Sequence, residues 1–172
     1  MRCTGATGKE ATHSTGGNKD TKRADRTAVR IRDAKLTDAS ALAELMCELG
    51  YHTTAPEMRR RLKSILCDVR YRTLLAEVDG KVCGTIGTLS HASYEHNDPS
   101  GRILALVILP GARRRGIGRA LIASAEKDFA DKAVTRVSVD TRLTRKEAHQ
   151  FYESLGYERN GWRFVKRLPV SD

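Results

Sequence analysis

The sequence predicts an α/β (α+β) domain in which short strands alternate with amphipathic helices. Three features support this: an Asp79-Gly80 pair between two strand patterns, a continuous apolar run over 103–109, and a stripe of apolar residues at helical spacing from Ile117 onward. Asp-Gly is favoured in two-residue hairpin turns, so the flanking strands are expected to be antiparallel neighbours. A continuous apolar run is typical of a strand buried on both faces.

The order of the elements follows from the spacing of the apolar residues. Strands are predicted at 29–32, 73–78, 81–89, 103–109 and 134–139. Helical stripes are predicted from Leu42 to Leu49, Met58 to Leu66, Ile117 to Phe129 and Ala148 to Leu155. Thr54 and Glu57 match a capping box that opens the second helix. Asn160 and Gly161 predict a final hairpin, which gives the order β, α, α, β, β, β, α, β, α, β, β.

Composition predicts one domain, at 28–172, preceded by a disordered basic tail at 1–27. The tail is nearly free of large apolar side chains, so it cannot offset the entropy lost on ordering. No segment has the apolar core of a signal peptide or the roughly 18 apolar residues that cross a bilayer. We therefore expect a cytoplasmic protein with no membrane partner.

Cysteine spacing and net charge bear on metals and partners. Cys3, Cys47, Cys67 and Cys83 lie far apart without matching histidines, so we expect reduced, mostly buried thiols and no metal site. The net charge of +10 is compatible with a polyanion. A nucleic-acid-binding module that uses the basic runs 59–61 and 113–115 is an alternative of another class, but the runs lack interleaved aromatic residues. We expect no nucleic acid partner.

The strongest functional signal lies between Ile103 and Phe129. The apolar run ends at Pro110, and a Gly-Ile-Gly sequence then opens a helix whose first turn carries no capping carboxylate. Unpaired backbone N–H groups, the positive end of the helix dipole and several guanidinium groups therefore converge on one anion-sized space. The glycines are Gly116 and Gly118, and the arginines are Arg113, Arg114, Arg115 and Arg119.

Two familiar phosphate-binding loops do not fit this stretch. Gly111 and Gly116 have the spacing of a P-loop, but Ile117 and Gly118 follow where that loop needs Lys and Ser or Thr. The dinucleotide fingerprint fails because Leu121 stands in place of its third glycine. Hydrolysis of nucleoside triphosphates and a nicotinamide cofactor are therefore disfavoured.

The stretch does resemble motif A of the GCN5-related N-acetyltransferases, the GNAT family. The matching residues are Leu106, Ile108 and Pro110 at the end of the strand, then Arg113, Gly116 and Gly118. The resemblance covers about residues 29–168. It implies the GNAT fold, with a central mixed, mostly antiparallel twisted sheet of six to seven strands flanked by about four helices.

The same resemblance implies acetyl-CoA as the co-substrate. In the family this loop holds the pyrophosphate, and backbone N–H groups splayed from the preceding strand stabilise the thioester oxygen as charge develops on it. The cofactor-binding residues implied in this chain are Leu106, Val107, Ile108, Arg113, Arg114, Arg115, Gly116, Ile117, Gly118 and Arg119.

Catalytic candidates also follow from the resemblance. Residues 148–157 resemble motif B, whose tyrosine commonly protonates the leaving thiolate, so Tyr152 is the implied general acid. Tyr152 can equally be a core aromatic residue that packs beside Phe151, and both roles can hold at once.

The general base is less defined, because the motif A strand lacks the glutamate that many relatives carry. Asp140 ends a predicted strand twelve residues before Tyr152, a spacing that resembles relatives with the base on this strand. Glu95 and His96 in the polar loop are rivals, and a plain surface charge is an open interpretation for each. His149 is interpreted as structural.

The predicted activity is therefore transfer of an acetyl group to a primary amine of a small molecule, by direct attack in a ternary complex. Acetylation of a protein N-terminus or lysine is the alternative. A non-catalytic acyl-CoA sensor is less favoured. The sequence is compatible with a homodimer.

Overall fold

A five-stranded sheet forms the centre of the protein in a computed structural model that describes residues 28–169. The strands are β1 (Arg30–Asp33), β2 (Tyr71–Val78), β3 (Lys81–His91), β4 (Ser100–Ile108) and β5 (Arg136–Val139). The α-helices are α1 (Ala39–Glu48), α2 (Ala55–Leu66), α3 (Ile117–Asp131) and α4 (Lys146–Glu153), and 3-10 turns lie at Leu36–Asp38 and Pro110–Ala112. The predicted mixed α/β class is confirmed.

The sheet has the spatial order β1-β2-β3-β4-β5 and is antiparallel except for the last pair. The predicted hairpin between β2 and β3 is confirmed. Asp79 and Gly80 have φ values of +52° and +73°, as a tight turn between twisted strands requires. β4 and β5 run parallel and are joined through α3, so the N-terminus of α3 lies at the end where β4 finishes.

β4 carries a bulge that neither its composition nor its spacing predicts. Gly87 pairs with Ala105 and Thr88 pairs with Ile103, so Leu104 is an extra residue on β4. The ladder between β4 and β5 ends at the neighbouring pair, Ile103 with Val139. A bulge increases local twist and turns a strand away from its neighbour. From Leu104 to Ile108, β4 is therefore paired with β3 alone among the described strands.

Helices cover both faces of the sheet. On one face, α1 and α2 bury Leu42, Leu45 and Leu62 against Leu75 and Val107. On the other face, α3 packs a stripe of fully buried side chains against β2, β3 and β4, and α4 adds its aromatic residues. That stripe is Ile117, Leu121, Ile122, Ala125 and Phe129.

Local sequence signals predict where the helices begin. Thr54 accepts a hydrogen bond from the amide of Glu57, and the Glu57 carboxylate accepts one from the amide of Thr54, so the predicted capping box is confirmed. Asp38 is the N-cap of α1 and joins it to β1, because both of its carboxylate oxygens accept from Arg32 at 2.8 Å.

Two sequence predictions are wrong. The sheet has five strands, not six to seven, because the chain after α4 forms no strand between residues 154 and 169 and the Asn160-Gly161 hairpin is absent there. An alternating pattern specifies a strand only if a neighbouring strand pairs with it. Among the cysteines, Cys83 is buried as expected, but Cys47 and Cys67 are exposed near the ends of α1 and α2.

The predicted disordered tail at 1–27 and Cys3 lie outside the described residues. Within 28–169, none of the helices is both long enough and apolar enough to span a bilayer.

Candidate active site

The loop before α3 is shaped by two residues with left-handed backbone conformation. Arg114 has a φ of +60°, and Gly116, the N-cap of α3, has a φ of +80°. The first amide bonded in the helix is that of Ala120, which donates to the carbonyl of Gly116 at 3.0 Å. The amides before it, from residue 117 to 119, have no backbone acceptor in the described chain. Such a run of free N–H groups at a helix N-terminus forms an anion-binding concavity.

The predicted arginines of this loop have different surroundings. Arg113 donates to the carbonyl of Ile108 at 3.1 Å and to Oε1 of Glu48 at 2.5 Å, so its guanidinium group anchors the loop to α1. Arg114 and Arg115 are exposed and form no ion pair with any residue in 28–169. Both guanidinium groups are therefore accessible to an anion from solvent.

The start of α3 lies against α4. A Cβ atom built on Gly118 would be 3.3 Å from Cζ of Phe151, so the glycine lets the two helices approach closely without pressing on that ring. At the next residue of α3, Nη2 of Arg119 lies 3.5 Å from Oγ of Ser154. These contacts place motif B next to the loop before α3.

Tyr152 is buried on the inner side of α4, with 8% of its surface exposed. Its ring meets Phe151 and Tyr157 edge to face, with centroid distances of 5.3 Å and 5.5 Å. Burial raises the pKa of its phenol to about 12, so the hydroxyl keeps its proton at neutral pH. Tyr157 in turn donates to Oε1 of Glu126 at 3.0 Å. The aromatic cluster thus holds the ring of Tyr152 in place.

Asp140 follows β5 directly, beside the point where β4 and β5 separate. Its carboxylate pairs with Arg102 of β4, and with Nη1 of Arg163 at 3.3 Å. Glu95 and His96 are exposed in the loop before β4. The whole length of β4 therefore lies between them and the loop before α3. Asp140 is therefore the predicted base that lies nearest to the separation of the strands.

His149 of α4 contacts the loop between β5 and α4. Its Nε2 lies 3.1 Å from the carbonyl oxygen of Arg142, in line with the structural interpretation of this residue. The same loop reaches the turn between α1 and α2, where Arg145 donates to the carbonyl of Leu49 at 2.7 Å and the guanidinium of Arg142 stacks 5.8 Å from the ring centre of Tyr51.

Sequence reasoning missed these bridging residues. Glu48, Arg142 and Arg145 belong to no motif, and their partners are distant in sequence, so only the fold brings them together. No group of three or more His, Cys, Asp or Glu side chains between residues 28 and 169 is arranged to hold a metal ion.

Comparison with known proteins identifies the family. The sequence model described as the acetyltransferase (GNAT) family matches residues 39–157. The chain belongs to the GNAT family. A curated GNAT relative, the aminoalkylphosphonate N-acetyltransferase of Salmonella typhimurium, is 30% identical over 139 residues, which cover 80% of this chain and 90% of the relative.

Further GNAT proteins agree with this assignment. An aminoglycoside N(6')-acetyltransferase type 1 of Klebsiella aerogenes is 28% identical over an aligned region that covers 74% of this chain and 88% of the relative. A crystal structure of a Staphylococcus aureus GNAT family acetyltransferase superposes with a TM-score of 0.70 at 27% identity, over 81% of this chain and 98% of the other. The protein is thus an N-acetyltransferase.

GNAT membership also accounts for the chemistry of the loop. The family uses acetyl-CoA as co-substrate, and the donors present here suit its diphosphate: free amides at the start of α3 and the exposed guanidinium groups of Arg114 and Arg115. The bulge at Leu104 turns the GNAT strand β4 away from β5 next to this loop.

Proposed function

We propose that this GNAT enzyme transfers the acetyl group of acetyl-CoA to a primary amine of a small molecule, with both substrates bound in one ternary complex. The observation that carries the proposal is the separation of β4 from β5 after the pair Ile103 and Val139, next to the free N-terminus of α3. The gap between β4 and β5 is lined by a strand edge and ends at the proposed diphosphate site. It therefore suits an extended thioester.

Acetyl-CoA, when bound, supplies the thioester that the amine attacks. The amides at 117–119 and the side chains of Arg114 and Arg115 would hold its diphosphate. The unpaired edge of β4 at 106–108 would then flank the acetyl group. Backbone N–H groups that face the carbonyl oxygen would stabilise the negative charge that the oxygen gains as the amine adds.

Tyr152 is the proposed general acid. As the nitrogen bonds to the carbonyl carbon and the C–S bond breaks, the electron pair of that bond goes to sulfur, and the Tyr152 hydroxyl donates a proton to it. The pKa of about 12 means that this proton is present throughout the physiological range. The proximity of Phe151 to Gly118 supports this role, because it fixes α4 beside the start of α3.

Asp140 is the proposed general base. An alkylammonium with a pKa near 10.4 must lose a proton before its nitrogen can attack, and a carboxylate beside the gap can receive that proton through water. The ion pairs with Arg102 and Arg163 would keep the carboxylate at the end of β5.

The acceptor is proposed to be an amine that also carries an anionic group. Such a group would face Arg142 and the neighbouring Arg145. Arg142 is exposed, stacks over Tyr51 and has no ion-pair partner in the described region. An aminoalkylphosphonate, the substrate class in the name of the Salmonella relative, has this charge pattern, and a polycationic aminoglycoside does not.

The test is thiol release from acetyl-CoA with matched acceptors. A short ω-aminoalkylphosphonate, the alkylamine of the same length, an aminoglycoside and a lysine peptide would be compared at equal concentration. We expect the phosphonate to give the highest kcat/KM, and Arg142→Gln to reduce that preference over the plain alkylamine. Preferential acetylation of the peptide would favour a protein acetyltransferase.

A variant of the loop provides the control. Gly116→Trp, which fills the space before α3, should abolish calorimetric binding of acetyl-CoA together with activity. Cofactor binding by the parent protein without turnover on any amine would indicate a sensor. DNA binding with a steep salt dependence and no affinity for acetyl-CoA would indicate a nucleic-acid-binding module.

A further inference from the structure

A cavity lies between α1, the start of β3 and the 3-10 turn at Pro110–Ala112, and no step of the proposed reaction uses it. Its volume is about 550 Å³, and pockets that hold small molecules measure roughly 300–1,000 Å³. Most of the lining is apolar and is formed by Ala41, Val82, Leu109 and Ala112. Such a lining suits an apolar group of a ligand.

Two charges of opposite sign lie on different walls of this cavity. Glu44 belongs to α1, and Lys81 is the first residue of β3. Both side chains are exposed, and neither forms an ion pair or a hydrogen bond with any residue of 28–169. Glu48, one turn further along α1, does have a cation, because Arg113 donates to it. The cavity therefore offers one carboxylate and one ammonium group to a ligand beside an apolar interior.

The thiol of Cys83 also lines the cavity, where it adds to the apolar lining and is not a nucleophile. Its Sγ donates to the carbonyl of Ala76 at 3.4 Å, and burial raises the pKa of the thiol. A protonated thiol reacts slowly, because the thiolate is the nucleophilic form. The cavity therefore suits reversible binding and not covalent chemistry.

We infer that this cavity is an effector site for a free amino acid with a large apolar side chain, and that this ligand tightens the binding of the coenzyme. The ammonium group of the amino acid would pair with Glu44 and its carboxylate with Lys81, while its side chain fills the apolar interior. A ligand with a single charge would leave the other charge of the cavity unpaired. The site itself does not depend on the proposed function, and only the effect on the coenzyme rests on it.

A free molecule suits the cavity better than a segment of this chain. β1 begins at Arg30, at the end of the sheet that carries the turn between β2 and β3, so residues 1–27 precede the sheet near the cavity. Met1 is the only large apolar residue among them, so they lack the apolar group that the lining requires. At the other terminus, Arg163 pairs with Asp140 at the end of β5, which lies across β4 from the cavity.

The cavity touches both elements that hold the loop before α3. Gly111 and Ala112 line the cavity and directly precede Arg113. The guanidinium group of Arg113 in turn binds Glu48 of α1, one turn after Glu44. An amino acid bound between α1 and the 3-10 turn would therefore hold together the same two elements as that ion pair. Because this loop is proposed to meet the diphosphate, the amino acid should raise the affinity for the coenzyme, and the coenzyme should raise the affinity for the amino acid by the same factor.

Binding of matched probes to the full chain is the first test, followed by NMR of the backbone amides. L-phenylalanine and L-leucine should shift the signals of Val82, Leu109 and Ala112, with half-saturation below about 5 mM. Phenethylamine and phenylpropionate each lack one charge and should bind about fivefold more weakly than L-phenylalanine. Glycine lacks the apolar group and should cause no shift. The absence of shifts at these three amides with both apolar amino acids, or equal binding of all the probes, would overturn the inference.

Charge variants assign the two ends of the ligand. Glu44→Gln should weaken the binding of L-phenylalanine about fivefold and leave that of phenylpropionate unchanged, whereas Lys81→Met should weaken both. Glu147→Gln and Lys63→Met are the matched controls. Their side chains are also exposed and form no ion pair within the described part of the chain, but they do not line the cavity. Equal losses in the control variants would mean that overall charge causes the effect, and the site would be wrong.

Calorimetry with coenzyme A, which carries no acetyl group, separates the effector role from turnover. Saturating L-phenylalanine should lower the Kd of coenzyme A about fivefold or more, and Glu44→Gln should weaken this effect at a fixed, subsaturating concentration of the amino acid. Binding of L-phenylalanine in the cavity with no change in that Kd would overturn the effector role. If the parent protein does not bind coenzyme A at all, the proposed function fails, and the amide shifts alone decide whether the cavity binds amino acids.

Discussion

Arg113 and Glu48 form an ion pair across 65 residues of sequence, with 2.5 Å between Nη2 and Oε1. Glu48 is the last residue of α1, and Arg113 lies in the loop that precedes α3. The pair therefore joins the helix next to the proposed acceptor site to the loop next to the proposed cofactor site. Since Arg113 also donates to the carbonyl of Ile108, it fixes the end of β4 as well.

We predict that Glu48→Gln and Arg113→Met each raise the KM for acetyl-CoA by a factor of about 1.4 to 5, because a half-exposed ion pair contributes about 0.2–1 kcal/mol. Their effects should not add, since each removes the same contact. Steady-state kinetics of the two single variants and the double variant would measure this. Arg115→Met is the comparison, and its effect should multiply with that of Glu48→Gln. Full additivity between Glu48→Gln and Arg113→Met would contradict the prediction.

Tyr152→Phe should lower kcat about 100-fold or more while the KM for acetyl-CoA changes little, because a general acid contributes about 10²–10⁴-fold. Burial raises the pKa of Tyr152 to about 12, so its hydroxyl stays almost fully protonated up to about pH 11. The alkaline limb of the parent kcat profile should therefore show no fall caused by Tyr152 below about pH 11. Stopped-flow or steady-state rates from about pH 6 to about pH 11 would test both statements.

Tyr157→Phe is the matched control for that substitution. It removes the hydrogen bond to Glu126 and keeps the ring that packs on Tyr152. We expect a loss of about 1 kcal/mol in the free energy of unfolding and nearly unchanged kcat. Equal losses of kcat in the Tyr152 and Tyr157 variants would assign both hydroxyls a structural role.

Gly116→Ala and Gly111→Ala add the same methyl group at two positions that differ in backbone conformation and not in free space. A Cβ atom on either glycine meets no atom within 4 Å, but Gly116 has a φ of +80° and Gly111 does not lie in the left-handed region. Alanine at Gly116 should lower the free energy of unfolding by about 1–2 kcal/mol, whereas alanine at Gly111 should be neutral or slightly stabilising. Urea unfolding would measure both, and equal effects would show that φ is not the cause.

Local signals in the sequence were sufficient for much of the fold. The capping box at Thr54, the Asp79-Gly80 turn and the stripe of α3 each act within a few residues, and all three are confirmed. The assignment to the GNAT family followed from the order of strand, proline, arginine and glycines, and it is confirmed as well.

Features that depend on distant partners could not be predicted. Ser100 and Gly101 look like the end of a polar loop, but they begin β4 because β3 and β5 pair with them on both sides. The bulge at Leu104 is set by the register against Gly87 and Thr88. The hairpin predicted at Asn160-Gly161 is absent for the opposite reason. The residues around it have a strand pattern, but no strand of the described sheet pairs with them.

The roles within the candidate site divide in the same way. The sequence motif indicated the loop arginines as one group, but Arg113 differs from Arg114 and Arg115 only through the position of Glu48 in the fold. Likewise, motif B indicated Tyr152, whereas the cluster that orients it depends on Tyr157 and on the packing of α4 against Gly118.

Arg32→Gln should destabilise the protein in a pH-dependent way. Arg32 donates to both carboxylate oxygens of Asp38 at 2.8 Å and to Oε1 of Glu77 at 2.6 Å, and the hydrogen bonds to Asp38 lower the pKa of Asp38 from its ordinary 3.8. A carboxyl whose pKa is lower in the folded state contributes stability above its unfolded pKa, and this contribution is lost as the pH falls through the folded pKa. We expect a loss of about 2 kcal/mol at pH 7, because hydrogen bonds to charged groups contribute about 1.5–3 kcal/mol.

The difference between Arg32→Gln and the parent should therefore be constant at neutral pH and shrink progressively below pH 3.8, where Asp38 becomes protonated in the variant before it does in the parent. The pKa of Asp33 is also lowered, by Arg72, but this acts equally in both proteins and cancels in the difference. Urea unfolding at pH 7, 4 and 3 would measure the trend. Arg70→Gln removes an exposed guanidinium group that pairs with Asp68; it is the control and should change stability little, since water screens that pair. A difference that grows as the pH falls would mean that the Arg32 and Asp38 pair does not stabilise the start of α1.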